Sequence, residues 1–263
     1  LSYLFIASDM PFVENCSLTP LPGYYTASNA DGLYFHESCF GGLFRGNKIE
    51  GACDDFMNIH NYSRPACSVS KSELVIQKAF RNSNIVKVGY RVGWIRASDG
   101  KTAVDGEAFI VKVENADKDG FYKLTLDRNL PDNLATQASP RGKKILDMFA
   151  IMECMAHGTV FSDNEFKTGV SRILLGGRNL LFTGNRIEDR MGHPYLIETS
   201  SHALNDGAGG EGYQPRNIVW QGNFFDIYAP KNVFSFHSDG SLGPSPDIDI
   251  VHMSIIGNTF KIR

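Results

Sequence analysis

Three aspartates, Asp31, Asp54 and Asp55, are the residues whose type and spacing best suit catalysis. Asp31 and Asp55 each open a segment in which apolar and polar residues alternate, and the two segments, 31–36 and 55–60, are 24 residues apart. Such alternation is typical of a half-buried strand. An offset of roughly 20 to 30 residues between like strands is typical of successive coils in a solenoid, where neighbouring strands lie about 4.8 Å apart. We therefore expect Asp31 and Asp55 to stack one coil apart, with Asp54 beside them.

Three carboxylates this close together suit acid–base chemistry. Their mutual repulsion is expected to raise the pKa of at least one of them, as a proton donor near neutral pH requires. An inverting glycosidase needs an acid at the leaving oxygen and a base at the attacking water, with the carboxyl groups about 6.5–9.5 Å apart. The stacking assigns Asp31 and Asp55 to the water and Asp54 to the leaving group, and the reverse assignment stays open. The alternative is a structural role, either strand capping or calcium binding through hard oxygen ligands.

Further polar residues on neighbouring strands are candidates for contacts with a sugar. His36 and His60 follow the stacked aspartates at equal distances and fall on one face of the strands with Tyr34 and Asn58, so hydroxyl contacts are expected there. The alternative for each histidine is an ordinary packing role. Charged residues of later segments either bind the sugar or form ion pairs. The predicted substrate-binding residues are Asn58, His60, His36, Arg172, Glu198 and Glu211.

An asparagine that recurs in a fixed local context indicates the corner of a repeated coil. Each copy follows a small or polar residue and precedes an apolar residue by two positions. Asn tolerates a left-handed backbone and its side chain can bond neighbouring main-chain groups, which suits a turn repeated in a stack. We interpret these residues as a structural ladder and not as catalytic groups. They are Asn47, Asn164, Asn185, Asn223 and Asn258.

The asparagine motif does not recur between Asn47 and Asn164, and the sequence of that stretch predicts a separate antiparallel unit. Its β-patterned segments are 73–76, 85–90, 91–95, 108–113 and 121–126, with hairpin-type turn signals at 98–100 and 118–120. The sequence thus predicts an all-β solenoid with an inserted small antiparallel β-barrel. The predicted domains are a first solenoid part with the catalytic motif at 1–67, the inserted barrel at 68–142 and a second solenoid part at 143–263.

Composition excludes several classes of partner. A formal net charge of −3 and a pI near 6.2 do not indicate the clustered positive charge that binding to nucleic acid or to an anionic membrane requires. The longest apolar runs, such as 145–155, are interrupted by Asp147 and Glu153, so no membrane span is expected. The five cysteines lack metal-ligand spacing, so zinc is not expected, and no metal site is predicted. No signal peptide is recognisable at Leu1, and both ends read as strands, so further coils of a longer chain or a second copy are expected to cover them.

Taken together, the motifs resemble glycoside hydrolase family 110. The residues that carry the resemblance are Asn29-Ala30-Asp31-Gly32, the run from Asp54 to His60, the inserted barrel, and segments 171–175 and 184–187. The resemblance implies a right-handed parallel β-helix with a barrel insertion, and inversion at terminal α-1,3-linked galactose in blood group B type glycans or in carrageenan. It also implies that Asp31, Asp54 and Asp55 are the catalytic residues. The family's Trp-x-Glu-x-Gly motif appears here only as Gly209-Gly210-Glu211-Gly212.

The leading hypothesis is a secreted or periplasmic inverting exo-α-galactosidase that needs no organic cofactor and acts on an oligosaccharide or polysaccharide. Two other classes stay open. A catalytically silent β-helix of the tailspike or adhesin kind would bind glycans without hydrolysis. A polygalacturonase-like hydrolase, which has a similar aspartate triad, or a lyase would act on galacturonans. A lyase needs a basic residue near the acids, for which Arg45 and Lys48 are the nearby candidates.

Overall fold

The protein folds from short strands joined by turns, as the alternating segments predict. The structure is a computed structural model, and no helix occurs among the residues it describes. This arrangement confirms the all-β class. The described residues are 3–6, 8–38, 40–78, 84–95, 104–117, 119–132, 134–136, 146–168, 172–189, 195–199, 210–211, 215–228, 232–236 and 251–263.

Three parallel sheets of six strands each are built as successive passes of the chain add one strand to each sheet. The first parallel sheet contains, in spatial order, β1 (Tyr3–Ile6), β4 (Leu33–His36), β7 (Met57–His60), β17 (Ile173–Leu175), β20 (Tyr195–Thr199) and β24 (Asn232–Phe236). The second contains β2 (Phe12–Glu14), β5 (Leu43–Arg45), β15 (Val160–Ser162), β18 (Arg178–Thr183), β22 (Arg216–Gln221) and β25 (Val251–Ile256). The third contains β3 (Ser17–Leu18), β6 (Lys48–Glu50), β16 (Glu165–Thr168), β19 (Arg186–Asp189), β23 (Phe224–Ile227) and β26 (Thr259–Ile262).

The apolar positions of all three parallel sheets share one core. In-register residues of the second sheet place four large rings in a column: Phe44, Phe161, Phe182 and Trp220. Successive ring centroids are 5.2, 4.7 and 3.9 Å apart, and all four rings are buried. Burying each such ring contributes roughly 1.5–3 kcal/mol, so the column fixes both the spacing and the register of the coils.

The recurring asparagines form the predicted ladder at the corner between the second and third parallel sheets. The Oδ1 of Asn164, Asn185, Asn223 and Asn258 each accepts a hydrogen bond from the backbone amide of the ladder residue one coil before it, and Asn47 Oδ1 accepts one from the Cys16 amide, all at 2.9–3.0 Å. The Nδ2 of each ladder Asn donates to a carbonyl oxygen of the previous coil, as Asn164 does to Phe44. Gly46, Gly184 and Gly222, each preceding a ladder Asn, have φ near +65°, a conformation that glycine adopts without strain. The ladder prediction is confirmed.

A separate eight-stranded antiparallel sheet with its own core lies between the coils in sequence. Its spatial order is β21 (Gly210–Glu211), β8 (Tyr62–Pro65), β14 (Met148–Ile151), β11 (Arg91–Ile95), β12 (Val104–Asn115), β13 (Phe121–Leu126), β10 (Glu73–Gln77) and β9 (Ser68–Ser70). It therefore extends beyond residues 68–142 and recruits a strand from the later part of the chain. Among the described strands the order has two ends, so closure into a barrel stays a prediction.

One predicted strand of this unit is wrong. Residues 85–90 form no strand, and the segment ends in a turn in which the Tyr90 amide donates to the Lys87 carbonyl oxygen and Gly89 has a φ of +90°. The segment still buries Val86 and Tyr90, which explains the apolar spacing that resembled a strand. The turn signal at 98–100 lies outside the described residues. Within the described part of the chain, no helix has the length and apolar character needed to cross a membrane.

Candidate active site

The three aspartates lie together at the start of two neighbouring strands. β4 and β7 pair in the predicted 24-residue register. The stacking continues into the preceding corner, where the Gly32 amide donates to the Asp55 carbonyl oxygen at 3.0 Å. One carboxylate oxygen from each of Asp31, Asp54 and Asp55 lies within 4.8 Å of the others. We call these three residues the acidic cluster.

The acidic cluster opens into a pocket of about 410 Å³. This volume lies within the range of small-molecule sites, roughly 300–1,000 Å³. Asp54 is exposed, Asp31 is half-buried and Asp55 is 8 % exposed, so the three carboxylates span the depth of the pocket from its rim inward. The other lining residues are Leu4, Ala30, Tyr34, Asn58, Arg172 and Leu174.

The spacing within the acidic cluster bears on the water-holding role that the sequence assigns to Asp31 and Asp55. All three nearest oxygens lie within 4.8 Å of one another. Two carboxylates at this distance can both accept a hydrogen bond from one water, because each bond spans about 2.8 Å. The shared-water role fits this geometry.

Arg172 and Glu198 come from the next two coils and form a chain of ion pairs with the cluster. The carbonyl oxygen of Arg172 accepts a hydrogen bond from the Phe56 amide at 2.8 Å, which places Arg172 beside Asp55. Its Nε lies 3.3 Å from Asp55 Oδ1, and its Nη1 lies 2.6 Å from Glu198 Oε2. Both contacts are short enough to be ion pairs, but neither has the geometry of a hydrogen bond. The Glu198 side chain is 4 % exposed, so the arginine compensates a charge that water barely reaches.

Arg172 and Glu198 thus form the ion pairs that were the alternative to sugar contact, and their predicted contact with a sugar stays a prediction. Arg172 also lines the pocket, which keeps it available to a bound ligand. Glu198 is not among the lining residues, and it reaches the cluster only through the arginine.

The wall of the pocket beside the cluster is one outward-facing column of the first parallel sheet. In-register neighbours along it are Leu4, Tyr34, Asn58 and Leu174, and the column continues beyond the pocket to Glu198. Sequence analysis did not identify Leu4 or Leu174 as pocket residues. The alternation of inward and outward residues along the strand could have assigned Leu4 to this face. Leu174, however, lies in an apolar run at 173–175 whose composition cannot be distinguished from that of a core strand.

His36 and His60 share this face of the sheet but do not line the pocket. His60 is 3 % exposed, and its ring centroid lies 5.3 Å from that of Tyr34 and 5.1 Å from that of His36. Burial and, as a smaller cause, the charge of Arg64 together lower the pKa of His36 to about 4. His36 is thus neutral near pH 7. The packing alternative describes both histidines better than direct contact with a sugar.

Glu211 lies apart from these residues. Its backbone belongs to β21, which pairs with β8 so that Glu211 stands opposite Tyr62 in the antiparallel sheet. Its side chain lies outside the described part of the structure, as does Ser171 of the 171–175 motif. The predicted substrate contact of Glu211 therefore stays a prediction.

The acidic cluster is also the place where the described residues could hold a cation. Its three oxygen donors are close enough to share one ion, and such hard donors suit calcium. Arg172 opposes this use, because its Nε sits 3.3 Å from one of the candidate ligands and repels a second positive charge. The expectation of no metal site stays a prediction.

Comparisons with known proteins do not identify a family. No protein-family model matches the sequence, and no curated protein is significantly similar to it. A functional assignment therefore rests on the geometry of the site and on the motifs of the sequence.

Proposed function

We propose that this protein is a glycoside hydrolase that removes terminal α-1,3-linked galactose from a glycan or a galactan such as carrageenan. The observation that carries the proposal is the acidic cluster, three carboxylates gathered in a pocket of about 410 Å³. The motif resemblance supplies the linkage and the sugar. The finer fold belongs to the same proposal: the three parallel sheets are the faces of a right-handed parallel β-helix, supported by the addition of one strand to each sheet per pass.

The proposed roles within the acidic cluster follow its burial. Asp31 and Asp55, stacked and less exposed, hold the attacking water between them and take up its proton. Asp54, at the exposed rim, protonates the leaving oxygen. Its Oδ1 accepts a hydrogen bond from the Asp55 amide at 3.0 Å, so the transferred proton is carried on Oδ2.

Arg172 supports the proposed base. Its guanidinium stabilises the negative charge of Asp55 and is itself held by Glu198 from the next coil. This arrangement keeps Asp55 as an acceptor of the water proton. Glu198 thus serves as a positioning residue and not as a ligand of the sugar.

The stereochemical part of the proposal, inversion, rests on the resemblance. Inverting enzymes separate the two catalytic carboxyl groups by about 6.5–9.5 Å and retaining enzymes by about 5–5.5 Å, and the anomer that forms first distinguishes the two mechanisms. Proton NMR of the first-formed galactose decides the point: we expect the β-anomer, and the α-anomer would establish retention.

The experiment that tests the reaction is a substrate panel. Purified protein is incubated with α-1,3-galactosyl oligosaccharides, with α-1,4- and α-1,6-galactosides, and with galacturonans, and the products are separated by chromatography. We expect free galactose from the α-1,3-linked substrates. Release of galacturonate would favour a polygalacturonase-like enzyme, an unsaturated product would favour a lyase, and binding without turnover would favour a glycan-binding β-helix. Secretion or periplasmic export of the full-length protein belongs to the same proposal and is tested by cell fractionation.

A further inference from the structure

The amide of Asn58 has a defined orientation at the wall of the pocket. Its Oδ1 lies 2.9 Å from His60 Nδ1, and both residues are buried. An amide oxygen only accepts hydrogen bonds, so the hydrogen in this bond belongs to His60 Nδ1. The histidine therefore determines which end of the Asn58 amide faces it.

The opposite end of the same amide faces the pocket. Asn58 lines the pocket, and its Nδ2 makes no hydrogen bond to any residue in the described part of the chain. On the column it stands between Tyr34 and Leu174, whose side chains supply ring and aliphatic surface. Two N–H groups at such a place match a ligand oxygen, and a ring hydroxyl of a hexose offers one.

Neighbouring rings fix the position of the His60 ring, and the His60 ring in turn fixes the orientation of the Asn58 amide. Its ring packs between those of Tyr34 and His36, with centroid distances of 5.3 and 5.1 Å. His36 is neutral near pH 7 because burial and Arg64 disfavour its charged form. The ring of His60 is therefore not displaced by repulsion from a neighbouring imidazolium.

We propose that Asn58 is a specificity-determining residue that donates Nδ2 hydrogen bonds to one hydroxyl of the bound sugar, and that His60 is the positioning residue that fixes the Asn58 amide in this orientation. This inference rests on the proposed glycosidase function. It replaces direct contact between His60 and the sugar with an action through Asn58. It also predicts that the two residues act as one unit.

The test compares kcat/KM for an α-1,3-galactoside and for a series of its monodeoxy analogues. The wild type should discriminate by roughly tenfold against one analogue, the one that lacks the hydroxyl bound by Asn58. Asn58→Ala and His60→Phe should both lose that discrimination, and the double variant should lose no more than either one. His60→Asn, whose Nδ2 lies near the position of the histidine Nδ1, should restore most of it. His60→Phe keeps the ring stack, so its thermal midpoint monitors packing separately.

The outcomes separate the inference from the proposed function. If the wild type hydrolyses the galactoside but His60→Phe and His60→Asn both discriminate as it does, the positioning role is overturned while the enzyme assignment stands. If His60→Phe lowers kcat/KM equally for the galactoside and for every analogue, and His60→Asn restores nothing, His60 has a packing role only, which would also overturn the positioning role. If the wild type neither binds nor hydrolyses any α-galactoside, the proposed function and this inference fall together.

Discussion

Asn164→Ala removes one rung of the asparagine ladder, and the structure gives the size of the effect. The Asn164 side chain takes part in four hydrogen bonds of 2.9–3.0 Å: two accepted from Asn47, one donated to Phe44 and one donated to Asn185. The residue is 1 % exposed, so water cannot replace these bonds. At about 1 kcal/mol for each bond, the variant should lose roughly 3–5 kcal/mol of its free energy of unfolding. This is a large part of the roughly 5–15 kcal/mol of a typical protein.

The assay is thermal unfolding followed by circular dichroism, with Asn258→Ala as the matched control. Asn258 makes the same kinds of bond, to Asn223 and Trp220, but it is partly exposed, so water can take over. We expect a fall in midpoint of about 10 °C for Asn164→Ala and less than half of that for Asn258→Ala. Equal shifts, or a shift of under about 2 °C at Asn164, would refute the reasoning that buried rungs stabilise the stack.

Three further perturbations test other contacts. Arg172→Ala removes the cation paired with the buried Glu198 carboxylate and should lower the free energy of unfolding by about 3 kcal/mol, while adding Glu198→Gln should recover part of it; chemical denaturation measures both. Burial and, to a smaller extent, Arg64 lower the pKa of His36 in the folded protein to about 4, below its ordinary value of 6.5. Its contribution to the free energy of unfolding is therefore complete above about pH 6.5 and is lost as the pH falls towards 4. His36→Phe should flatten the curve of stability against pH in that window. Gly32→Ala would place a Cβ 2.7 Å from the Phe56 carbonyl oxygen and should reduce galactose release at least about tenfold, whereas Gly222→Ala, with φ +65° and no heavy atom within 4 Å, should affect stability alone.

Local patterns were sufficient to predict the coil register and the acidic cluster. Alternation in 31–36 and 55–60 gives the face of each residue, and their common offset gives the pairing that β4 and β7 adopt. The asparagine ladder could be predicted equally well, because the residues next to each ladder Asn are of types that favour a turn. In both cases the information is contained within a few positions of the chain.

The contacts that complete the site come from distant parts of the chain and left no local signal. Leu4 and Leu174 join the pocket only because β1, β4, β7 and β17 are lateral neighbours. The insertion between Asn47 and Asn164 hides the coil period at the point where β7 is followed by β17 in the sheet. The burial of His60 could not be predicted for the same kind of reason, since it depends on rings from the preceding coil, Tyr34 and His36.

The distances between the carboxylate oxygens of the acidic cluster also could not be predicted from the sequence. A register fixes which carboxylates are neighbours, but side-chain rotation decides the distance between their oxygens. Asp54 follows a different parity from Asp55, yet the bond from the Asp55 amide to Asp54 Oδ1 draws the two carboxylates to the same side.

Galactose release by wild type and Asp54→Asn, measured on one α-1,3-galactoside at saturating concentration, tests the catalytic assignment most directly. Asp54 is exposed and Asn keeps the oxygen that accepts the Asp55 amide hydrogen, so the thermal midpoint should not change. Loss of the proton donor should lower kcat by about 10²- to 10⁴-fold. Galactose release within tenfold of wild type by a folded Asp54→Asn protein would contradict the account.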